Sequence, residues 1–173
     1  MKELSLQDFH CNPFDLFGRD WLALTAGVAP EHFNSMTIAW GHLGTLWERG
    51  THANRLPTAI VYVRPSRYTR ELLEQEPLFT LCHFPSAYRN VLGYLGSHSG
   101  KDGRKMEAAG LTPVFSDGTA YFAEADLIFI CRKLYCGALN EGGFADMALV
   151  DFNYPEKDFH TMYVGEIIKV LGA

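Results

Sequence analysis

The sequence is poor in the features that mark several large functional classes. No apolar run reaches the ~20 residues a helix needs to cross a bilayer. Residues 1–14, with Lys2, Glu3 and Asp8, have neither the basic start nor the apolar block of a secretory signal. These absences predict a soluble, unexported protein of the cytoplasm. Cysteine is sparse: Cys11, Cys82, Cys131 and Cys136 are the only four in 173 residues, which fits reduced thiols better than a disulfide framework. Cys131 and Cys136 stand an odd number of positions apart, so a continuous strand would point them to opposite faces, against a metal or redox pair. The seven histidines include no HExxH, and no metal site is expected. Positive charge is also short, with 15 Lys and Arg against 20 Asp and Glu and a net charge of −5. That is the wrong sign for a chain that binds nucleic acid by neutralising phosphates. A Walker loop, a G-x-S-x-G elbow and a glycine-rich turn after a strand are all missing, which disfavours P-loop enzymes, serine hydrolases and doubly wound nucleotide-binding folds. No repeat, low-complexity tract or linker divides the chain, so residues 1–173 are expected to form a single domain, with 47% hydrophobic residues to build its core.

Short runs rich in β-branched and aromatic residues are what the chain does contain. Trp21–Ala26, Ser35–Trp40, Thr58–Val63, Phe79–Phe84, Asp126–Leu134 and Met162–Leu171 read as strands bounded by Gly, Pro and Asn. Asp126–Leu134 places Leu127, Phe129 and Cys131 on one face and Ile128 and Ile130 on the other, so it should be covered on both sides. Helices are brief: Arg70–Gln75 behind a Thr69 cap and before Pro77, Ser86–Leu95, and Asp102–Ala109 before Gly110. Residues 140–144 and 151–158 read as loops. The pattern predicts a mainly β, α+β fold: a closed antiparallel β-barrel with short peripheral helices.

Four segments carry candidate chemistry. Asn34-Ser35-Met36-Thr37-Ile38-Ala39-Trp40-Gly41 sets an amide and hydroxyls beside a flat apolar surface, as a heteroaromatic ring requires, although Met36, Ile38 and Trp40 also alternate as an ordinary core face would. Arg64-Pro65-Ser66-Arg67-Tyr68-Thr69 brings two guanidinium groups and two hydroxyls to a helix entrance, which suits a phosphate monoester. Ser97-His98-Ser99-Gly100-Lys101-Asp102, followed by Arg104 and Lys105, is a second small, basic loop before a helix; an exposed loop with a capped helix accounts for it equally well. His160 opens the last strand, where a histidine could contact a pyrophosphate, a carboxamide or a ring edge.

In this order and spacing the four segments resemble the flavin-reductase-like family that includes flavoredoxin, over roughly residues 12–171. The resemblance implies a split barrel that binds FMN, one per subunit, between the two subunits of a homodimer. It would place Asn34, Ser35, Met36, Thr37 and Trp40 around the isoalloxazine ring and ribityl chain. Arg64, Ser66, Arg67 and Thr69 would serve the ribityl and phosphate end, joined by Ser97, Ser99, Lys101 and Lys105, and His160 would face a docked nicotinamide as the catalytic histidine. The implied activity is hydride or electron transfer from NADH or NADPH through FMN to free flavin or another acceptor. The alternative is an FMN-holding electron carrier reduced by a protein partner, without NAD(P)H turnover. Family members often carry Asp directly before the histidine. Here Phe159 stands there and Asp158 lies one residue earlier, which tilts toward the carrier.

Overall fold

The computed structural model describes residues 1–102 and 105–173. Its central element is β9, Leu127–Ala138, flanked by β6, Leu78–His83, and by β10, Thr161–Gly172, each antiparallel to it. Around these, β2 (Leu22–Ala29) pairs with β6 and with β3 (His32–Ile38), while β5 (Arg55–Val63) pairs with β10 and with β4 (Gly41–Glu48). The short β1, Lys2–Glu3, adds to the far end of β10. The strand order is therefore β3-β2-β6-β9-β10-β5-β4, and a separate hairpin joins β7 (Pro113–Ser116) to β8 (Thr119–Phe122). Among the described residues four short α-helices accompany the sheet, α1 (Tyr68–Gln75), α2 (Arg89–Ser97), α3 (Lys105–Ala108) and α4 (Met147–Asn153), with further helical turns such as Asp15–Asp20.

The two-faced pattern of β9 explains why it is central. Phe129 and Cys131 enter one core cluster with Leu24, Phe79, Val61 and Leu73, whereas Ile128 and Ile130 enter a second with Leu92, Leu95 and Phe122. Alternation with a period of two sends neighbours to opposite sides of a sheet, and each side is covered. Burying each of these side chains contributes about 1.5–3 kcal/mol. Close packing shows at Gly165, where a Cβ would stand 2.6 Å from Phe79 Cζ and 2.9 Å from Cys131 Cβ. Gly27 permits the first hairpin: it takes φ 119° at a register shift in β2, and any side chain there would meet the His32 carbonyl.

The mainly β architecture with peripheral helices agrees with the sequence reading; β4, β7 and β8 are strands that it did not include, and three of the expected details differ. Among the described residues no pairing joins β3 to β4, so the expected closure of the barrel is absent from the hydrogen-bonding path. The chain passes from β3 through Ala39 and Trp40 straight into β4, which turns its paired edge to β5 and leaves most of its residues exposed. Second, Thr69 is not the cap of α1 but its second residue; Arg67 holds the capping position with extended backbone. Third, α4 occupies part of the expected 151–158 loop, started by Asp146, whose carboxylate accepts from the Ala148 amide at 3.0 Å. The helix expected from Asp102 falls partly outside the described residues, as does Arg104. No helix among the described residues is long and apolar enough to cross a membrane.

Candidate functional site

The ends of β3 and β5, the start of β10, the entrance of α1, residues 98–100 and Lys105 converge on one trough. At one end is a recess of about 40 Å³ lined by Asn34, Ser66, Arg67, Thr69, Ser99 and Lys105. It shares Met36 and Arg67 with a middle cleft of about 150 Å³ that adds Thr37, Trp40, Tyr62, Arg64 and His160. Ala39, Trp40 and Tyr62 pass from the cleft into an apolar cavity of about 650 Å³.

The polar end is tightly organised. Asn34 is buried, and its Nδ2 donates to Thr69 Oγ1 at 2.7 Å, tying β3 to α1. Gly100 seats its loop against this pair: a Cβ there would lie 2.4 Å from Asn34 Oδ1 and 2.6 Å from the Tyr68 ring. Lys105 is buried, and its ammonium donates to the Ser35 carbonyl at 2.7 Å. No side chain caps α1; the Arg70 amide donates to the Arg67 carbonyl at 3.0 Å, and among the described residues the Tyr68 and Thr69 amides at the entrance are left for solvent or a ligand. Among the described residues no carboxylate pairs with Arg67, which leaves a whole positive charge at the junction of recess and cleft.

Arg64 is differently placed. Its guanidinium donates to Asp158 at 2.5 Å and to the Asn153 carbonyl at 2.8 Å, and it lies over the Tyr154 ring. The Arg64 hydrogen bond holds the Asp158 carboxyl below the usual carboxylate range. Asp158 therefore braces the 153–158 segment against β5 rather than orienting His160. That task falls to Tyr154, whose hydroxyl shares a 2.9 Å hydrogen bond with His160 Nδ1. Phe159 packs on Tyr154 with ring centroids 4.7 Å apart. His160 is 8% exposed and sits beside the Trp40 ring at 4.7 Å. Burial, then the repulsion of Arg64, lowers its pKa from 6.5 to about 4; Asp158 opposes them, and Arg67 adds a smaller lowering. The imidazole is thus neutral at pH 7 and acts as a hydrogen-bonding group rather than a cation.

Of the residues read from the sequence, Asn34, Met36, Thr37, Trp40, Arg64, Ser66, Arg67, Thr69, Ser99, Lys105 and His160 line the trough. Ser35, Ser97 and Lys101 do not. Ser35 points toward β2, where its hydroxyl meets Thr25 Oγ1 at 2.9 Å. Ser97 is turned back onto the Gly93 carbonyl of its own helix at 2.9 Å. Lys101 is exposed and pairs with Glu71. Tyr62 and Tyr154 join the site from outside the four candidate segments, and Tyr68 and His98 join it from within them, where no role was assigned to either. Tyr62 stands in β5 two positions before Arg64, the residue just past the strand's end, and both line the cleft.

The sequence matches no family model and no curated protein. Solved structures do match. Flavoredoxin of Desulfovibrio vulgaris (Miyazaki F) superposes with a TM-score of 0.66 at 19% identity, covering 100% of this chain and 77% of that one. The FMN-binding domain of a flavin reductases-like enzyme from Shewanella baltica OS155 gives 0.64 at 17%, covering 98% and 75%. The chain has the flavin reductase-like fold. An NADH:FAD oxidoreductase of Streptomyces globisporus C-1027 also shares this fold, at a TM-score of 0.62 and 17% identity over 89% of this chain and 75% of that one. In the flavin reductase-like fold of this chain the trough lies where β3 and β5 end and β10 begins, so the frame and the candidate site come from the same strand termini.

Proposed function

We propose that the trough holds one FMN per subunit and that the protein is a flavin-dependent oxidoreductase, taking electrons from NADH or NADPH and passing them to free flavin or another acceptor. The observation that carries this reading is the unneutralised Arg67 beside Ser66, Thr69 and the uncapped entrance of α1, at one end of a trough whose other end is the Trp40 face. A phosphate monoester carries about −1.5 to −2 charge and matches that donor set. The cradle fits as well, because Gly100 lets the backbone approach where a Cβ would collide with Asn34. The solved neighbours named as FMN-binding proteins and flavoredoxins add support from the fold.

Ser66, Arg67, Thr69 and Ser99 would hold the phosphate, with Lys105 fixing the Ser35 carbonyl behind it. Asn34, Met36, Thr37 and Trp40 would border the ribityl chain and ring. Bound FMN would supply the hydride and electron chemistry, and the protein its placement and electrostatics. Arg67 would favour negative charge on a reduced ring or its phosphate, while neutral His160, held by Tyr154, offers a hydrogen bond without adding a second cation. A homodimer would complete the split barrel beyond the unpaired β3 and β4 edges.

One observation favours the carrier as a second reading. His160 is buried against Tyr154 and Trp40 and is braced by no carboxylate, so a nicotinamide finds little of it to contact. Steady-state oxidation of NADH and of NADPH by the FMN-loaded protein separates the two. Turnover with either supports the reductase; none with both, flavin retained, leaves the carrier.

A further inference from the structure

A surface helix ordinarily turns its apolar side chains inward, and α4 does the reverse. Of its seven residues only Val150 is buried, while Phe152 is 86% exposed, Leu149 51% and Met147 44%. Phe152 follows Ala148 by four positions and Leu149 by three, so these side chains stand together on the outer face. Phe14, also 86% exposed, and Leu149 line the cavity beside Trp40, which makes this apolar surface continuous with the mouth of the trough. The helix is fastened there: the Asn153 carbonyl accepts from Arg64 at 2.8 Å, and the next residue, Tyr154, is bonded to His160 at 2.9 Å. Negative charge surrounds it. Residues 141–158 carry Glu141, Asp146, Asp151, Glu156 and Asp158 against Lys157 alone, a net −4 within a chain of net −5. Asp158 and Glu141 pair with Arg64 and Lys157, but among the described residues no lysine or arginine pairs with Asp146, Asp151 or Glu156, and all three are exposed.

We propose that the outer face of α4, with its acidic border, is a docking surface for a protein partner that presents basic side chains around an apolar centre. Apolar contact in the middle and complementary charge at the edge are what a transient interface uses, the charge setting its rate of formation and its salt dependence. A second copy is the poorer occupant, because a two-fold contact through α4 would set the same carboxylates against each other. As a docking surface it stands by itself; that its occupant exchanges electrons with the trough rests on the reading of the trough as a flavin site.

The test is calorimetric titration of the full-length protein, with and without FMN, with oxidised cytochrome c, a basic protein whose lysines surround an apolar haem edge. Cytochrome c acetylated on its lysines is the control that has lost the charge. Asp151→Lys with Glu156→Lys reverses the border, and Phe152→Ser removes the apolar centre. Glu3→Lys with Glu31→Lys makes the same change of net charge in β1 and at the β2–β3 turn, away from the trough. At about 50 mM salt one cytochrome c should bind per subunit, and raising the salt to about 300 mM or acetylating the probe should each weaken binding by about tenfold or more. The border and centre variants should each weaken it by about tenfold, the remote variant by less than about threefold. FMN retention should stay unchanged in all of them. Equal weakening by the border and remote variants, binding unaffected by Phe152→Ser, equal binding of the acetylated probe, or no binding at the lower salt would overturn the proposal. So would a dimer that Phe152→Ser or the border variant converts to a monomer by light scattering, since the face would then belong to a second copy. Failure of the protein to hold FMN, with cytochrome c binding as expected, would sink the flavin reading and leave the docking surface standing.

Discussion

Removing the imidazole of His160 should flatten one segment of the protein's pH–stability curve. Folding lowers its pKa from 6.5 to about 4, chiefly by burial. Between those values the unfolded chain takes up a proton that the folded chain refuses. The contribution is therefore fully present above about pH 6.5 and is lost as pH falls toward about 4. The full gap corresponds to about 3 kcal/mol, and the opening of the cleft to solvent reduces the expected amount to about 2 kcal/mol. His160→Gln keeps a group able to bond the Tyr154 hydroxyl but cannot titrate. Urea unfolding of both proteins at about pH 7.5, 6.5, 5.5 and 4.5 gives two curves in which the other titrating groups cancel. The wild-type advantage over the variant should shrink by about 2 kcal/mol from the first pH to the last. Parallel curves would refute the claim that His160 is held neutral by its site.

Three further outcomes are expected. Arg67→Ala should weaken FMN binding by at least ~1.5 kcal/mol, the loss of a charge-assisted bond, whereas Lys101→Ala, already paired with Glu71 at the surface, should change it by less than about 0.5 kcal/mol; fluorescence titration compares them, and equal losses would remove the distinction between the two cations. Gly165→Ala should destabilise the fold by about 1–3 kcal/mol, because the new methyl group meets Phe79 and Cys131 in the core; an unchanged thermal midpoint would contradict the packing described. Light scattering of the FMN-loaded protein should report a dimer, and a flavin-bound monomer would count against the shared-pocket reading.

Periodicity made the sheet legible. The two-sided apolar pattern of β9 identified its central place, and the β2, β3, β5, β6 and β10 runs were readable because β-branched and aromatic residues alternate between turn residues. Two hairpin strands escaped notice, although Asp117-Gly118, with φ of 53° and 74°, is the strongest kind of short turn signal. β4 was hidden by its own chemistry: it is mostly exposed and interrupted by Gly44, so it lacks an apolar face to read. In the site, local grouping found the residues but not their directions. Ser35 and Ser97 lie in the right segments, yet strand alternation and a bond back into the helix turn their hydroxyls away. Arg64 could not be told from Arg67, since what separates them is Asp158, 94 positions away in the chain. The role of Tyr154 was likewise invisible, because a hydroxyl replacing a carboxylate beside His160 depends on how α4 meets β10.

The central claim is that the trough from Asn34 to Trp40 holds FMN. The visible spectrum of the purified protein, recorded before and after incubation with FMN and removal of the excess, tests it most directly. The account predicts the two-banded absorption of oxidised flavin, retained at about one per subunit and lowered in Arg67→Ala. A colourless protein that retains no flavin after reconstitution would contradict it.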